Sequence, residues 1–282
     1  QQKGELPVGA HSIQLHSLGT PNGVKATIML EEIIECGAYP DFEYDAFMRG
    51  IGGPQFDSGF VEINPNSKIP AMLSRSDPAK PVRVFESGAI VMYLAEKYPK
   101  TGLLPADSAT RAECMSWVFW AIGSPPYLGG GLGHFYAYAP KNPTAGYLEY
   151  PIDRFAMETK RQLSVLDKHL ADKTYMCGDI YTIADILVWP WYGALVLGRM
   201  YGAGEFLSVD EYINLKRWAE HLESSRPAVR RGRLVNRFSK ERRFPGDASN
   251  PLYADLPLLP ERHSRKDWEL TDEEKAQHAT SA

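Results

Sequence analysis

The stretch Ile63-Asn-Pro-Asn-Ser-Lys-Ile-Pro70 decides how the first half of this chain is interpreted. Its last proline opens a predicted strand directly after a loop, and a proline in that position is a candidate for a cis peptide bond. A cis bond would turn the backbone N–H and C=O of Ile69 outward, where they could pair with a bound peptide as an added strand does. An ordinary turn is the alternative interpretation.

Strand-like and helix-like segments alternate around this stretch. Residues 13–18 alternate apolar and polar side chains, which predicts a half-buried strand. Thr20 and Pro21 are typical of the N-cap and first position of a helix, and Gly37 is placed to end that helix. Further strands are predicted near residues 42–44, over 70–73 and over 82–85, and another helix begins at Glu86-Ser87-Gly88. The order β-α-β-(α)-β-β-α predicts an α/β domain over residues 11–99.

The second half of the chain carries no strand signal. After a linker rich in proline and glycine, helical periodicity recurs over residues 111–122, 153–171, 183–197 and 210–223. We therefore predict an all-helical domain over residues 108–238, with a kink at Pro190. Residues 239–282 are polar and rich in proline, which predicts an irregular C-terminal extension.

The composition limits the function classes. A chain of 282 residues is long enough for two domains, and 44% hydrophobic with 23% charged residues is ordinary for a globular protein. The net charge of −4 gives no reason to expect nucleic acid or an anionic membrane as partner, and no stretch is apolar enough to span a bilayer. Residues 1–11 contain no apolar signal-peptide core, so we expect a cytoplasmic protein.

The three cysteines, Cys36, Cys114 and Cys177, are far apart in the sequence and form no Cys-x-x-Cys motif. A disulfide framework, a metal site and a thioredoxin-type dithiol mechanism are therefore not expected. Each cysteine has an apolar, helix-like context, which favours a buried structural role. Thiol chemistry would then use a thiol from outside the chain, or a lone cysteine.

Two predicted strand-to-helix junctions carry polar groups suited to bind anions. Thr20 and Asn22 stand at the first, where free N–H groups and the helix dipole favour a negative charge such as a thiolate. At the second, Ser87 and nearby N–H groups could bind a carboxylate and Glu86 an ammonium, which together fit an α-amino-acid head group. Simple helix caps are the alternative interpretation of both junctions.

The chain resembles the glutathione-binding domain of the cytosolic glutathione transferases in the motif Asn-x-x-x-Lys-Ile-Pro followed by Glu-Ser. The resemblance extends over about residues 13–237 and includes Thr182-Ile-Ala-Asp185. It implies a thioredoxin-like domain followed by a helical bundle, and a homodimer. Within this family the chain is similar to the Nu class of bacterial enzymes, which are related to the yeast nitrogen-regulation protein. The similarity lies in three motifs, Thr20-Pro-Asn22-Gly23, Gln55-Phe56 and Gly129-Gly-Gly-Leu-Gly-His134-Phe-Tyr136.

The Nu-class resemblance implies specific roles for residues of this chain. Thr20 and Asn22 would lie near the thiol, and Gln55, Ile69, Glu86 and Ser87 on the tripeptide, with the flanking Lys68 and Pro70 included in the same site. It also implies that two glutathione molecules, or one glutathione disulfide, can occupy one site. Position 20 is Thr and not Cys, so no mixed disulfide with the enzyme is expected there.

Candidates for a second-substrate pocket come from the helical half. His134 and Tyr136 follow the glycine-rich segment, and Tyr192 is a third candidate; packing between domains is the alternative for them. Arg233 belongs to a basic cluster that could meet the carboxylates of a second glutathione, although such clusters are usually solvated helix ends. The members of this cluster are Arg226, Arg230, Arg231, Arg233 and Arg237.

These features predict an enzyme in which a bound glutathione thiolate attacks the sulfur of a disulfide or of a glutathionyl thioether, releasing glutathione disulfide. The thioether substrates that the resemblance implies are derived from lignin aryl ketones. Conjugation of glutathione to an electrophilic carbon is one alternative, and a non-catalytic glutathione-binding regulator is another.

Overall fold

The computed structural model describes residues 4–236, which form two compact units. The first comprises residues 4–101 and 226–236, and the second residues 102–225. Residues 226–236 were predicted to belong to the helical domain, whereas the structure groups them with the first unit. The predicted extension over 239–282 lies outside the described residues.

The first unit contains a four-stranded mixed sheet in the order β2-β1-β3-β4. The strands are β1 (Ile13–Ser17), β2 (Tyr44–Met48), β3 (Ala71–Ser74) and β4 (Val82–Phe85). β1 pairs in parallel with β2 and antiparallel with β3, and β3 pairs antiparallel with β4. The helices are α1 (Pro21–Glu35), α2 (Ser58–Ile63) and α3 (Ser87–Lys97), so the predicted order of elements is confirmed.

The prediction that the first strand is half-buried is wrong. All five residues of β1 are buried, including the polar Gln14 and His16. β1 is a central strand with a neighbour on each side, and α2 packs Phe60 and Ile63 against the face that carries Ala71 and Leu73. The polar side chains of β1 are therefore covered as completely as the apolar ones.

The first unit also contains the last helix of the described residues, α9 (Pro227–Leu234), which packs against α1. Gly232 makes the contact close, since a Cβ at this position would lie 2.6 Å from the backbone N of Ile28. Arg231 forms ion pairs with Glu31 at 2.7 Å and with Glu35 at 2.5 Å, and Arg226 pairs with the buried Glu32. Part of the basic cluster thus faces carboxylates of α1, while Arg237 lies outside the described residues.

The second unit is helical. Its α-helices are α4 (Ser108–Gly123), α5 (Glu149–His169), α6 (Ile183–Val188), α7 (Ala194–Val196) and α8 (Ile213–Ser225). Two wider π-helical segments, Tyr127–Tyr138 and Trp189–Gly193, complete it. Pro190 lies in the second of these, where a wider turn accommodates the missing N–H. Within residues 4–236, no helix is both long and apolar enough to cross a membrane.

The predicted capping box at the start of α6 is present. Thr182 caps the helix and Asp185 accepts from the backbone N–H of Thr182 at 3.0 Å. The fully buried Asp185 also accepts from the N–H of Met176 at 2.8 Å and from Trp218 Nε1 at 2.9 Å. Burial raises the pKa of Asp185 to about 6, while these donors oppose the shift.

The glycine-rich segment packs against aromatic side chains of its own unit. A Cβ on Gly129 would lie 2.4 Å from the Trp191 ring, and one on Gly131 would lie 2.3 Å from the Phe155 ring. Phe155 belongs to α5, so Gly131 allows the segment to approach this helix closely.

The expectation that all three cysteines are buried is correct for Cys114 alone. Cys36 is exposed and Cys177 is partly exposed.

Candidate active site

A cavity of about 170 Å³ opens on the first unit where two helices begin beside one loop. Its lining residues come from the start of α1, the loop before β3, and the junction of β4 with α3: Asn22, Asn64, Asn66, Lys68, Ile69, Pro70, Glu86 and Ser87. Six residues that the sequence analysis assigned to the glutathione site are among them. Asn22, the Lys68-Ile69-Pro70 segment and Glu86-Ser87 therefore meet at one cavity.

Thr20 and Asn22 form the first helix start. Thr20 is the N-cap of α1, with extended backbone, and its Oγ1 accepts from the N–H of Gly23 at 3.3 Å. Asn22 is the second residue of α1 and lines the cavity. The first turn of a helix presents N–H groups and the positive end of the dipole, so this junction favours an anion.

Two contacts fix the backbone that leads into α1. A Cβ on Gly23 would lie 1.9 Å from the carbonyl oxygen of Leu18, so only glycine allows the turn to close. Gly19 donates its N–H to the carbonyl of Asn236 at 2.9 Å, and Asn236 Nδ2 donates to the carbonyl of Ala46 at 3.1 Å. Asn236 was not predicted as a contact of this backbone, because its hydrogen bonds join distant parts of the chain.

Asn64 organises the loop that precedes β3. This buried side chain donates from Nδ2 to the carbonyl of Lys68 at 2.6 Å, and its Oδ1 accepts from the N–H of Asn66 at 2.9 Å. The loop leads to a cis peptide bond between Ile69 and Pro70, as predicted. Asn64 and Asn66 belong to the stretch over residues 63–70, but neither was predicted to be a site residue.

Glu86 and Ser87 form the second helix start. Glu86 precedes α3 with φ 73°, a conformation that a residue with a side chain rarely adopts. Strain of this kind persists where the surroundings enforce it and is frequent at ligand sites. Ser87 is the first residue of α3 and is buried to 6% exposure at the cavity. A carboxylate, a hydroxyl and free helix N–H groups therefore border one space.

Lys25 is a buried cation near Glu86 that the sequence analysis did not select. It lies on α1 three residues after Asn22 and is 1% exposed. Burial lowers the pKa of Lys25 to about 7, and the negative charge of Glu86 opposes this shift. The charge of Lys25 consequently changes near neutral pH. A single lysine within a helix gives no sequence signal that distinguishes it from a solvated one.

Of the other predicted site residues, Thr20, Gln55 and Arg233 belong to the first unit without lining this cavity, and the rest belong to the second unit. Gln55 belongs to the first unit, in a short 3₁₀ turn (Pro54–Phe56), where it is buried but does not line the cavity. Arg233 is 2% exposed on α9, also in the first unit. Roles for both in ligand binding stay predictions.

His134, Tyr136 and Tyr192 belong to the second unit. His134 is exposed on the π-helical segment, and the Tyr136 ring stacks on Phe206 with centroids 4.8 Å apart. Tyr192 is fully buried and donates its hydroxyl to Gln162 Oε1 at 2.9 Å. Burial raises the pKa of Tyr192 above its usual value. Their roles in a second-substrate pocket stay predictions.

Potential metal ligands are not grouped in the described part of the chain. Among residues 4–236, no three or more His, Cys, Asp or Glu side chains are arranged to hold a metal ion.

Residues 149–221 match the sequence pattern of the family described as Glutathione S-transferase, C-terminal domain. The chain is 51% identical over 273 residues to the protein named disulfide-bond oxidoreductase YghU of Escherichia coli K12, covering 96% of this chain and 87% of that protein. This chain therefore belongs to the glutathione transferase family.

Solved structures of two similar proteins share the fold. A glutathione transferase YghU from Streptococcus pneumoniae, complexed with glutathione, superposes with a TM-score of 0.77 at 50% identity, covering 83% of this chain and 86% of that one. A glutathione transferase from Pseudomonas putida, with one glutathione disulfide bound per subunit, gives a TM-score of 0.69 at 36% identity, covering 79% and 91%. The first unit thus has the thioredoxin-like fold and the second is the helical domain of this family.

Proposed function

We propose that this protein reduces disulfides with glutathione as the reductant, and that glutathione binds in the cavity of the first unit. The observation that carries the proposal is the meeting of two helix starts at one cavity, one bordered by Asn22 and the other by Glu86 and Ser87. One helix start suits a thiolate and the other an amino-acid head group. The similar proteins support it, since one is named a disulfide-bond oxidoreductase and two were crystallised with glutathione or its disulfide.

Glutathione binds in this proposal as an extended peptide along the loop before β3. Its γ-glutamyl ammonium donates to the Glu86 carboxylate, and its α-carboxylate accepts from Ser87 and the first N–H groups of α3. The backbone of Ile69 pairs with the tripeptide as an added strand would. Lys68, Pro70 and Gln55 complete the predicted tripeptide site.

The sulfur lies at the start of α1 in this proposal. The Thr20 hydroxyl already accepts from Gly23, which leaves its own hydrogen to donate to the sulfur, as the Asn22 amide also can. A free thiol has a pKa near about 8.5, and each unit by which the site lowers it requires about 1.4 kcal/mol of preferential binding of the thiolate. Two charge-assisted hydrogen bonds and a helix dipole are sufficient for a shift of ~1–2 units.

The reaction follows thiol–disulfide exchange. The bound thiolate attacks one sulfur of the disulfide, forming a mixed disulfide and expelling the other sulfur as a thiolate, which takes up a proton. A second glutathione then attacks the mixed disulfide and releases the second thiol together with glutathione disulfide. The bound glutathione disulfide of the Pseudomonas putida protein has the composition of this product.

Assignment to the Nu class, cleavage of lignin-derived glutathionyl thioethers and a homodimer remain predictions from the resemblance. Conjugation to an electrophilic carbon would use the same thiolate and differ only in the second substrate, and a non-catalytic binder would hold glutathione without turnover.

The test compares Asn22→Ala with the wild type in a glutathione reductase-coupled assay of glutathione disulfide formation. A small disulfide, a glutathionyl aryl-ketone thioether and an electrophilic aryl halide are supplied in parallel with excess glutathione. We expect the wild type to be fastest with the disulfide, and Asn22→Ala to lose about tenfold or more of that rate because one hydrogen bond to a charged sulfur is worth about 1.5–3 kcal/mol.

Asn142→Ala is the matched control for this test, since Asn142 is an exposed residue of the second unit that caps a turn at Thr144. It should retain the wild-type rate. Full activity of Asn22→Ala would refute the assignment of the thiolate site, and conjugate formation without disulfide reduction would refute the proposed reaction.

A further inference from the structure

Asn64 is a buried residue of the cavity whose backbone and side-chain polar groups are all hydrogen-bonded within the first unit. It follows α2, where its N–H donates to the carbonyl of Phe60 at 2.9 Å, and its carbonyl accepts from the N–H of Ser67 at 3.0 Å. The residue is 1% exposed, and its side chain bonds to the backbone of Asn66 and Lys68. One residue therefore holds the loop between α2 and β3 through four hydrogen-bonding groups.

The bond to Lys68 fixes one peptide group of this loop. Asn64 Nδ2 lies 2.6 Å from the carbonyl oxygen of Lys68, so this oxygen points toward the Asn64 side chain. The peptide bond between Lys68 and Ile69 is trans. In a trans peptide group the C=O and the N–H point in opposite directions. The N–H of Ile69 therefore points away from the Asn64 side chain.

The N–H of Ile69 is a donor without an acceptor in the described part of the chain. Ile69 is partly exposed and lines the cavity together with its neighbours Lys68 and Pro70. Backbone donors in such places are nearly always paired with protein, water or a ligand. An N–H that the protein leaves unpaired beside a cavity is therefore suited to bind a carbonyl oxygen of an extended peptide.

We propose that Asn64 is a positioning residue of the glutathione site, a role that rests on the proposed binding of glutathione in this cavity. Asn64 orients the Lys68–Ile69 peptide group, so that the Ile69 N–H donates to a carbonyl oxygen of the tripeptide. A peptide group rotated the other way would turn the Lys68 carbonyl toward this oxygen, and two acceptors would face each other. Because the bond to Asn64 sets the orientation before the ligand arrives, binding costs less conformational entropy.

The wild-type protein provides the first test. The full-length chain is prepared with isotope-labelled isoleucine for NMR spectroscopy, and the amide signal of Ile69 is assigned by its loss in Ile69→Val. Saturating glutathione should shift this signal and slow the exchange of the amide with solvent about tenfold or more, because the N–H gains an acceptor. Ile213, an exposed residue of the second unit, is the internal reference and should keep its signal.

The wild-type result separates this proposal from the proposed function. A protein that binds glutathione while the Ile69 amide keeps its signal and its exchange rate would overturn the positioning role and leave the proposed function standing. A protein that does not bind glutathione would overturn both. Since the wild type decides, the test holds even if a variant does not fold.

Asn64→Asp distinguishes a positioning role from a merely structural one. The carboxylate still accepts from the N–H of Asn66 but cannot donate to the Lys68 carbonyl. Asn66→Asp is the matched control, because it adds the same charge to the same loop and leaves the donation from Asn64 in place. We expect Asn64→Asp to bind glutathione about threefold to tenfold more weakly than Asn66→Asp in calorimetric titrations, because one hydrogen bond is lost.

The Ile69 amide gives the second readout of these variants. At saturating glutathione the amide of Asn64→Asp should exchange nearly as fast as in the free protein, whereas that of Asn66→Asp should stay protected. A purely structural role would lower the free energy of unfolding and leave both readouts of the folded protein unchanged. Equal affinities of the two variants, or an Ile69 amide that glutathione still protects in Asn64→Asp, would contradict the proposal.

Discussion

At the residue scale, the cavity depends on a few side chains whose surroundings set their charge and conformation. Glu86 is held at a positive φ, and Asn64 uses both ends of its amide to shape the loop beside it. Glu86 is the group on which recognition of the γ-glutamyl ammonium is proposed to rest. Glu86 lines the cavity in this strained conformation, which is frequent at ligand sites.

Replacing Glu86 by Gln removes the negative charge while keeping the shape of the side chain. A charge-assisted hydrogen bond is worth about 1.5–3 kcal/mol, so we expect the affinity for glutathione to fall about tenfold or more, measured by isothermal titration calorimetry near neutral pH. Glu62→Gln is the matched control, because Glu62 is an exposed residue of α2 outside the cavity lining. Equal affinities of wild type and Glu86→Gln would contradict the assignment.

The buried His16 allows the effect of burial on a side-chain pKa to be tested without a ligand. It is fully buried on β1, stacks on Phe47 with ring centroids 5.0 Å apart, and has no hydrogen-bond partner at either ring nitrogen within the described residues. Burial, aided by the charges of Arg49 and Arg75, lowers the pKa of His16 to about 3. The structure thus holds this imidazole neutral.

Because the imidazole of His16 is held neutral, the folded protein loses stability in acid. The unfolded chain binds a proton at His16 below about pH 6.5 and the folded chain only near pH 3, so the free energy of unfolding falls as pH drops between these values. We expect His16→Phe to remove this dependence, which amounts to about 2 kcal/mol at pH 5, in urea titrations at pH 7.5 and 5. If wild type and variant lose the same stability on acidification, His16 is not held neutral.

At the scale of elements, the glycine-rich segment of the second unit offers a matched pair of substitutions at adjacent positions. A Cβ on Gly131 would lie 2.3 Å from the Phe155 ring, whereas nothing lies within 4 Å of a Cβ on Gly130. We expect Gly131→Ala to lower the free energy of unfolding by about 1–3 kcal/mol because the aromatic packing must shift. Gly130→Ala should be neutral or stabilise by up to about 1 kcal/mol. Equal effects in chemical denaturation would mean that α5 does not pack on this segment as described.

Several elements could be predicted from the sequence because their signals are local. Thr20-Pro21 and Thr182-Ile-Ala-Asp185 mark helix starts through caps that act within four residues, and the proline at position 70 marks the cis bond. The grouping of α9 with the first unit could not be predicted. It depends on arginines of α9 facing glutamates of α1, and these charges are nearly 200 residues apart along the chain.

At the scale of the whole molecule, short motifs predicted residues that meet at one cavity, whereas contacts that depend on long-range packing could not be predicted. Asn22, Ile69, Glu86 and Ser87 line the predicted cavity. The burial of Lys25 and the hydrogen bonds of Asn236 were not predicted, because they depend on contacts between distant parts of the chain and not on residue type.

The central claim is that the first unit holds glutathione as a thiolate at the start of α1. The most direct test is a pH titration of the ultraviolet thiolate absorbance of bound glutathione, with the S-methylated tripeptide as blank. We expect a midpoint ~1–2 units below that of free glutathione for the wild type, and a return toward the free value in Asn22→Ala. If glutathione binds but titrates as it does in free solution, in wild type and variant alike, the account of this site is wrong.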